Sequence, residues 1–188
     1  MKLVYDVGIN DKNGFKGSKE YNLWLSMLGR CYSPLFLNNN PTYRDCYVSD
    51  EFKTFSKFYN WCQEQVGFNI DDFELDNDLL IKGNKIYSDS MSVFLPRSIN
   101  IVLSKRNRSM GELPIAVSFY KRHGLFESYI SIDGKKKHLG RYSCKLEAFN
   151  AYKREKEKHI KRLAMDYRSS IDPRAYTALM QYTVEIND

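Results

Sequence analysis

The chain has 188 residues, of which 43% are hydrophobic and 14% aromatic, so it can bury a core and is not a disordered polypeptide. No apolar run reaches the roughly 18 residues of a membrane-spanning helix, and the N-terminus lacks the apolar stretch of a secretory signal. The formal net charge is +6. The four cysteines form no CxxC pair, so we expect reduced thiols and a cytoplasmic protein.

The positive charge is concentrated in one part of the chain. Residues 105–168 carry 17 Lys and Arg against 7 Asp and Glu, a net charge of +10. Residues 1–104 and 169–188 each sum to −2. A compact basic segment attracts polyanions, nucleic acids among them, although a solvated basic surface has the same composition.

The N-terminal half predicts two helices followed by short strands. The first helix begins near Ser18 and has an apolar stripe at three- and four-residue steps, formed by Tyr21, Trp24, Leu25, Leu28 and Cys31. Asp50 is the expected N-cap of the second helix, and Gly67 follows its end. Residues 73–103 predict two turn-linked strands and then a short helix.

The C-terminal half predicts three strands and a long helix. The strand-like runs are residues 114–121, 125–132 and 136–142. Asp133-Gly134 between two of them is a strong hairpin signal, and a helix with Leu146 and Phe149 on its apolar stripe extends from Ser143 to Tyr167. We therefore predict an N-terminal domain (1–104), a basic linker (105–110), a sheet-plus-helix domain (111–168) and a tail (169–188).

Alternation along these strands predicts two different sheet faces. The face toward the helix is expected to hold Ile115, Val117, Phe119, Phe126, Ser128, Ile130, Ile132 and Leu139. The opposite face is expected to hold Ser118, Tyr120, Arg122, Glu127, Tyr129, Ser131, Lys136 and His138.

The second face has the residue types of a DNA-binding surface. A twisted antiparallel sheet fits a major groove of about 12 Å, where cations contact guanine edges or phosphates and tyrosines contact sugars. The alternative is a solvated sheet face, which favours the same residues. The candidate DNA-binding residues are Ser118, Tyr120, Arg122, Tyr129, Ser131, Lys136 and His138, with Lys105, Arg106 and Arg108 from the basic linker.

The run Ala116–Tyr152 resembles the Apetala/ethylene-response-factor type of DNA-binding domain. The elements that match are Val117, Phe126, Leu139-Gly140-x-Tyr142 and Glu147-Ala148-Phe149-x-Ala151-Tyr152. The resemblance implies a three-stranded sheet that binds duplex DNA. The chain departs from the family at Ala116, usually Gly, at Ser128, usually Ala, and at His138, which replaces a DNA-contacting Trp.

Residues 20–168 also resemble phage and bacterial HNH-type homing endonucleases, which often carry such a C-terminal domain. The similar elements are Trp24-x-x-Met27-x-x-Arg30-Cys31, Tyr47-Val48, Phe52, Phe55, Leu75-Asp76, Tyr87-Ser88 and Ile99-Asn100. Together the two resemblances imply an α+β fold: a degenerate HNH (ββα-like) region with helices, then a three-stranded antiparallel sheet packed on one long helix.

The nuclease motif that the resemblance implies is incomplete. Asp76 is the expected metal-holding carboxylate, but Asn77 replaces the expected histidine base and Met91 replaces an Asn. Losing a positioned base lowers a rate by about 10²–10⁴. Alternating carboxylates over residues 71–78 form either a metal site or, as we favour, a solvated strand edge.

We therefore expect a phage-encoded double-stranded DNA-binding protein without nuclease activity, cofactor or membrane association, acting by site binding or competition. The alternatives are a Mg²⁺-dependent nicking endonuclease that uses Asp76 and an unrecognised base, with Asp76 and Asn77 as its site residues, and a module that inhibits another protein by binding it. The sequence leaves the oligomeric state open.

Overall fold

Helices and strands occur in separate runs along the chain, which confirms the predicted α+β class. The structure, a computed structural model, describes residues 2–104, 113–186 and 188. The helices are α1 (Lys19–Tyr32), α2 (Pro34–Asn39), α3 (Asp50–Lys53), α4 (Phe55–Glu64), α5 (Arg97–Leu103), α6 (Lys145–Asp166) and α7 (Pro173–Gln181), and residues 41–43 form a short 3₁₀ turn. The strands are β1 (Tyr47–Val48), β2 (Phe73–Asp76), β3 (Ile86–Tyr87), β4 (Val93–Pro96), β5 (Val117–Tyr120), β6 (Leu125–Ile132) and β7 (Lys135–Tyr142).

Contacts divide the chain into two units, each with its own interior. The first unit comprises Met1–Asn100 with Ser169–Ala175, and the second unit comprises Ile101–Arg168 with Tyr176–Asp188. In the first unit, β2 and β4 pair antiparallel, and β3 lies between them in the chain. Helix α5 begins directly after β4. The short β1 and β3 pair in parallel.

Aromatic side chains fill the interior of the first unit. Helix α1 begins as predicted, because the Ser18 hydroxyl accepts a hydrogen bond from the Tyr21 N–H at 3.1 Å. This start points Trp24 inward, where it is fully buried against Phe55 and its Nε1 donates to the Phe52 carbonyl at 2.8 Å. A buried indole N–H therefore has its partner.

The predicted second helix is two helices, α3 and α4. Its N-cap is Ser49 and not Asp50, because the Ser49 hydroxyl accepts from the Phe52 N–H at 3.3 Å. The helix is interrupted at Thr54, whose backbone is extended. There Ile9 pairs with the chain: its N–H donates to the Lys53 carbonyl, and its carbonyl accepts from the Phe55 N–H. A tertiary strand contact thus replaces local helical bonds.

The second unit is a three-stranded sheet with one helix against it, as predicted. Strands β5, β6 and β7 pair antiparallel in that order. Helix α6 packs on one side of this sheet through a core that contains Val117, Ile130, Ala148, Phe149 and Tyr152.

Two residues that the sequence places in this core are half exposed. Phe119 is 48% exposed and packs its ring on Phe126, with 5.2 Å between ring centroids. Leu146 is 50% exposed, because it lies in the first turn of α6 at the edge of the buried stripe. Residues near the end of a strand or helix have neighbours on fewer sides. Sequence periodicity alone does not predict this lower burial.

Ser128 is a polar residue in the middle of this core. Its hydroxyl is fully buried and has no hydrogen-bond partner among the described residues. We expect Ser128→Ala to raise the free energy of unfolding by about 1 kcal/mol, because a buried unsatisfied hydroxyl is costly. Urea unfolding monitored by circular dichroism measures this change. Ser131→Ala, on the exposed side of the same strand, is the control and should stay within about 0.5 kcal/mol. An unchanged or lower stability of Ser128→Ala would contradict the assignment.

His159 makes the stability of the second unit depend on pH. It is buried on α6, and Arg162 Nη2 lies 3.1 Å from its Nδ1, which must accept because a guanidinium only donates. Burial, and then the Arg162 charge, lower the pKa of His159 below its ordinary value of 6.5. Below pH 6.5 the unfolded chain therefore binds a proton before the folded chain does, and folding becomes less favourable as the pH falls.

We expect the free energy of unfolding to decrease below pH 6.5, by at most about 1.4 kcal/mol per pH unit for this one group. His159→Gln should flatten that part of the profile, whereas His123→Gln, at an exposed turn position, should not. Denaturant titrations between pH 5 and 7.5 provide the measurement. Parallel profiles for wild type and His159→Gln would rule this origin out.

Candidate nucleic-acid interface

The side of the β5–β7 sheet away from α6 carries the polar residues that the sequence places there. We call this set the polar sheet face; it consists of Ser118, Tyr120, Glu127, Tyr129, Ser131, Lys136, His138 and Arg141. Strand pairing brings its members together, since Glu127 lies between Ser118 and Arg141, and Tyr129 lies opposite His138. Every candidate residue on these strands therefore belongs to one surface.

A β-bulge in β7 adds Arg141 to this face. Tyr129 pairs with His138 while its neighbour Ser128 pairs with Gly140, so the register shifts by one residue at Leu139. Strict alternation would turn Arg141 toward the helix, and the bulge turns it outward instead. Gly140 has a φ of +131°, a conformation that disfavours other residues. A glycine inside a strand often marks a bulge, so Gly140 was a sequence signal from which the outward direction of Arg141 could have been predicted.

Tyr142 closes over this bulge. Its hydroxyl donates to the Leu139 carbonyl at 2.8 Å, which satisfies a backbone group that the shifted register leaves out of the ladder. A Cβ atom at position 140 would lie 2.9 Å from the Tyr142 hydroxyl oxygen. The phenol therefore fits only because residue 140 has no side chain.

Glu127 organises the centre of the polar sheet face. Its side chain is only 11% exposed, and its Oε1 accepts from Arg141 Nε at 2.8 Å. Its Oε2 accepts from the Tyr129 hydroxyl at 3.1 Å, and His138 Nε2 lies 4.0 Å from Oε1. The hydrogen bond from Arg141 is the largest cause of a lowered pKa at Glu127. Glu127, the single acidic residue on this face, is thus ionised, and its carboxylate interacts with both cationic and phenolic neighbours.

Aromatic rings support the two cations of the face. Lys136 Nζ lies 4.0 Å from the centroid of the Tyr129 ring, and the Arg141 guanidinium lies 4.5 Å from that of Tyr120. The Tyr129 and His138 rings are 4.8 Å apart. Cation–π contacts of this kind restrict long side chains without neutralising them. Arg141 remains 47% exposed, and its ion pair with Glu127 uses Nε rather than the terminal nitrogens.

Lys137, next to Lys136, points the opposite way. Its register partner is Ile130 of the buried side, and its Nζ is 3.1 Å from Glu155 Oε2 on α6. Two adjacent lysines of one strand therefore serve different surfaces, and only Lys136 belongs to the polar sheet face.

The polar sheet face, as defined, does not include four further predicted DNA-binding residues. Arg122 is exposed in the turn between β5 and β6, so strand alternation does not determine its direction. Lys105, Arg106 and Arg108 lie outside the described residues.

Asp76 and Asn77, the nuclease candidates, hold a turn together. Asp76 Oδ1 accepts from the Asp78 N–H at 3.1 Å and from the Leu79 N–H at 2.9 Å. Burial, followed by the nearby Asp78 charge, raises the pKa of Asp76 to about 6. Asn77 exchanges hydrogen bonds with Asn84, which closes the loop between β2 and β3. Within residues 2–104, 113–186 and 188, no three His, Cys, Asp or Glu side chains form a group that could hold a metal ion.

Comparison with known proteins identifies no relative: no family model, curated protein or solved structure matches this chain. Of the helices in the described part of the chain, none has both the length and the hydropathy needed to cross a membrane.

Proposed function

We propose that this protein binds double-stranded DNA through the polar sheet face of its second unit. The observation that carries the proposal is the convergence of Lys136, Arg141 and three aromatic rings on the sheet side opposite α6. An antiparallel sheet of this kind enters a major groove about 12 Å wide, and its cations then meet phosphates or base edges.

The supported side chains favour specific over diffuse binding. Lys136 and Arg141 are held by ring contacts and, for Arg141, by the Glu127 ion pair. Side chains that are already ordered lose less conformational entropy on association than free ones. Arginine with free terminal nitrogens is the residue most often used for guanine O6 and N7, so Arg141 is our candidate for base contact and Lys136 for phosphate contact.

The test begins with selection of bound duplexes from a random pool, followed by fluorescence anisotropy on the selected sequence. Duplex affinity should fall with salt, with a log–log slope of about −0.9 per phosphate contact. Two phosphate contacts, from Lys136 and the turn residue Arg122, correspond to a slope of about −1.8 and a loss of about 12-fold between 50 and 200 mM salt.

Lys136→Gln and Lys137→Gln form a matched pair, because they remove the same charge from adjacent positions on opposite sides of β7. We expect Lys136→Gln to reduce the slope by about 0.9 and the affinity roughly 8-fold at 0.1 M salt. Lys137→Gln should leave both nearly unchanged. Salt-independent association, or equal effects of the two substitutions, would refute binding through this face.

The finer parts of the proposal concern origin and activity. We propose a phage-encoded, cytoplasmic relative of HNH homing endonucleases that has lost cleavage and acts by occupying or competing for a site. Asp76 and Asn77 support this, because their polar groups are used within a turn and loop. The antiparallel pair of β2 and β4, with α5 directly after β4, also resembles the strand–strand–helix motif of such nucleases, with β3 inserted between the two strands.

The loss of cleavage is tested with supercoiled plasmid carrying the selected site, incubated with Mg²⁺ or Mn²⁺. We expect no nicked product from wild type, and none from Asp76→Ala. Nicking by wild type that Asp76→Ala abolishes would instead establish the endonuclease alternative. If the polar sheet face binds no duplex at all, the protein-inhibitor alternative takes its place.

A further inference from the structure

A groove of about 660 Å³ lies in the first unit, remote in sequence from the polar sheet face. Helix α1 forms its floor with Ser26, Gly29 and Arg30, and the Tyr5 ring forms one wall. The other wall comes from α2 and the turn after it, with Phe36, Asn39, Asn40 and Tyr43. This volume lies within the range of about 300–1,000 Å³ that is usual for small-molecule sites.

Arg30 places a positive charge in the groove without a neutralising partner. Its Nη1 donates to the buried Tyr87 hydroxyl at 3.1 Å, and its Nη2 donates to Ser26 Oγ at 3.4 Å. Both acceptors are uncharged, and none of the acidic groups in the described residues forms an ion pair with Arg30. A half-buried guanidinium with spare donors is stabilised by an anion, which restores the interactions that burial removes.

Tyr5 forms its wall at the expense of backbone strain. Tyr5 and Asp6 have φ values of +50° and +62°, which are unfavourable for a bulky residue such as tyrosine. This turn lays the Tyr5 phenol over Gly29, whose absent Cβ would lie 3.1 Å from the hydroxyl oxygen. The two positive φ values belong to the tight turn that the Val7 N–H closes on the Val4 carbonyl, beside the antiparallel bridge between Val4 and Gly8. This turn leaves Tyr5 42% exposed, so its ring is open to a ligand.

We infer that this groove binds a nucleotide, with its phosphate on Arg30 and its base against the Tyr5 ring. The Asn39 amide lies along the same groove and can pair with a polar base edge, whereas the rings supply a stacking surface. Asn40 Nδ2 already donates to the Phe36 carbonyl at 3.0 Å, so only its Oδ1 is offered to a base. The ligand is either a free mononucleotide or one nucleotide of a single strand, since both present the same phosphate and base. This inference does not depend on the proposed duplex binding.

Isothermal titration calorimetry on the full chain tests it with four probes: AMP, adenosine, inorganic phosphate and a 5′-phosphorylated (dA)₅ strand. AMP should bind at least about 10-fold more tightly than adenosine or phosphate, because it makes both contacts. Tighter binding of the strand than of AMP identifies a strand as the source, and tighter or equal binding of AMP identifies the free nucleotide.

Two variants assign the binding to this groove. Arg30→Gln should weaken AMP binding about 10-fold or more, whereas Arg44→Gln, an exposed arginine outside the groove, should not. Tyr5→Asn should weaken it roughly 5-fold or more. Asparagine tolerates a positive φ better than tyrosine, so this second variant removes the ring without harming the fold.

Three results overturn the inference: no binding of AMP or of the strand, AMP binding that survives Arg30→Gln unchanged, or phosphate binding as tightly as AMP with Tyr5→Asn having no effect. Thermal unfolding of each variant accompanies the titrations. If Arg30→Gln does not fold, Tyr5→Asn alone decides, since unchanged AMP affinity in that variant would overturn the proposed contact between the base and the Tyr5 ring.

Discussion

Gly140→Ala is expected to weaken both the fold of the second unit and its affinity for duplex DNA. The new methyl group meets the Tyr142 hydroxyl oxygen at 2.9 Å and forces an alanine to adopt a φ of +131°. Strain of this kind costs about 1–3 kcal/mol. Relief requires Tyr142 to release the Leu139 carbonyl, and this loosens the bulge that turns Arg141 outward. We therefore expect duplex affinity to fall about 10-fold as well.

Gly134→Ala is the matched control for this prediction. Gly134 also has a positive φ, +74°, but a Cβ there meets no atom within 4 Å. Gly134→Ala should lower the free energy of unfolding by about 1 kcal/mol, because alanine disfavours this backbone conformation, and should leave duplex affinity unchanged. Urea unfolding and anisotropy on the same preparations separate the two effects. If Gly140→Ala folds and binds like wild type, the bulge does not position Arg141.

The second large effect is expected at Arg141 itself. Arg141→Gln removes the fork of terminal nitrogens, so affinity for the selected duplex should fall about 10-fold or more and the preference over a scrambled duplex should be lost, while the salt slope stays nearly unchanged. Arg141→Lys keeps the charge but cannot bond Glu127 and present a planar fork at the same time. It should therefore retain the salt slope and still lose most of the sequence preference.

Anisotropy with the selected duplex and with a scrambled duplex, each across a salt series, measures both quantities. Arg154→Gln, an exposed arginine on α6, removes the same charge from another surface of the unit and serves as the control. Should Arg141→Lys preserve the preference for the selected duplex, Arg141 contacts phosphate rather than a base.

Much of the second unit could be predicted from its sequence because the signals are local. Alternating apolar residues and the Asp133-Gly134 turn specify the β6–β7 hairpin. The apolar stripe around Phe149 likewise specifies the helix that covers one side of the sheet. Each signal lies within a few residues of the structure it produces, so no tertiary information is needed.

The candidate DNA surface could be predicted only in part, because its electrostatics depend on strand register. The sequence placed Tyr129, Lys136 and His138 on one face but gave Glu127 no partner and left out Arg141. A one-residue shift at the bulge decides whether Arg141 faces Glu127 or the helix. That shift arises from Gly140 and Tyr142 together and not from alternation.

By itself, then, the sequence determined the secondary structure of the second unit, the sign of its charge and the side of the sheet that stays polar, because these follow from periodicity and composition. Only the tertiary structure decided which groups meet across distance. The Asp76 carboxylate accepts hydrogen bonds from two N–H groups of its own turn, and Arg30 donates a hydrogen bond to Tyr87, which lies 57 positions away in the chain. Such contacts are selected by packing of the whole unit, so no local pattern encodes them.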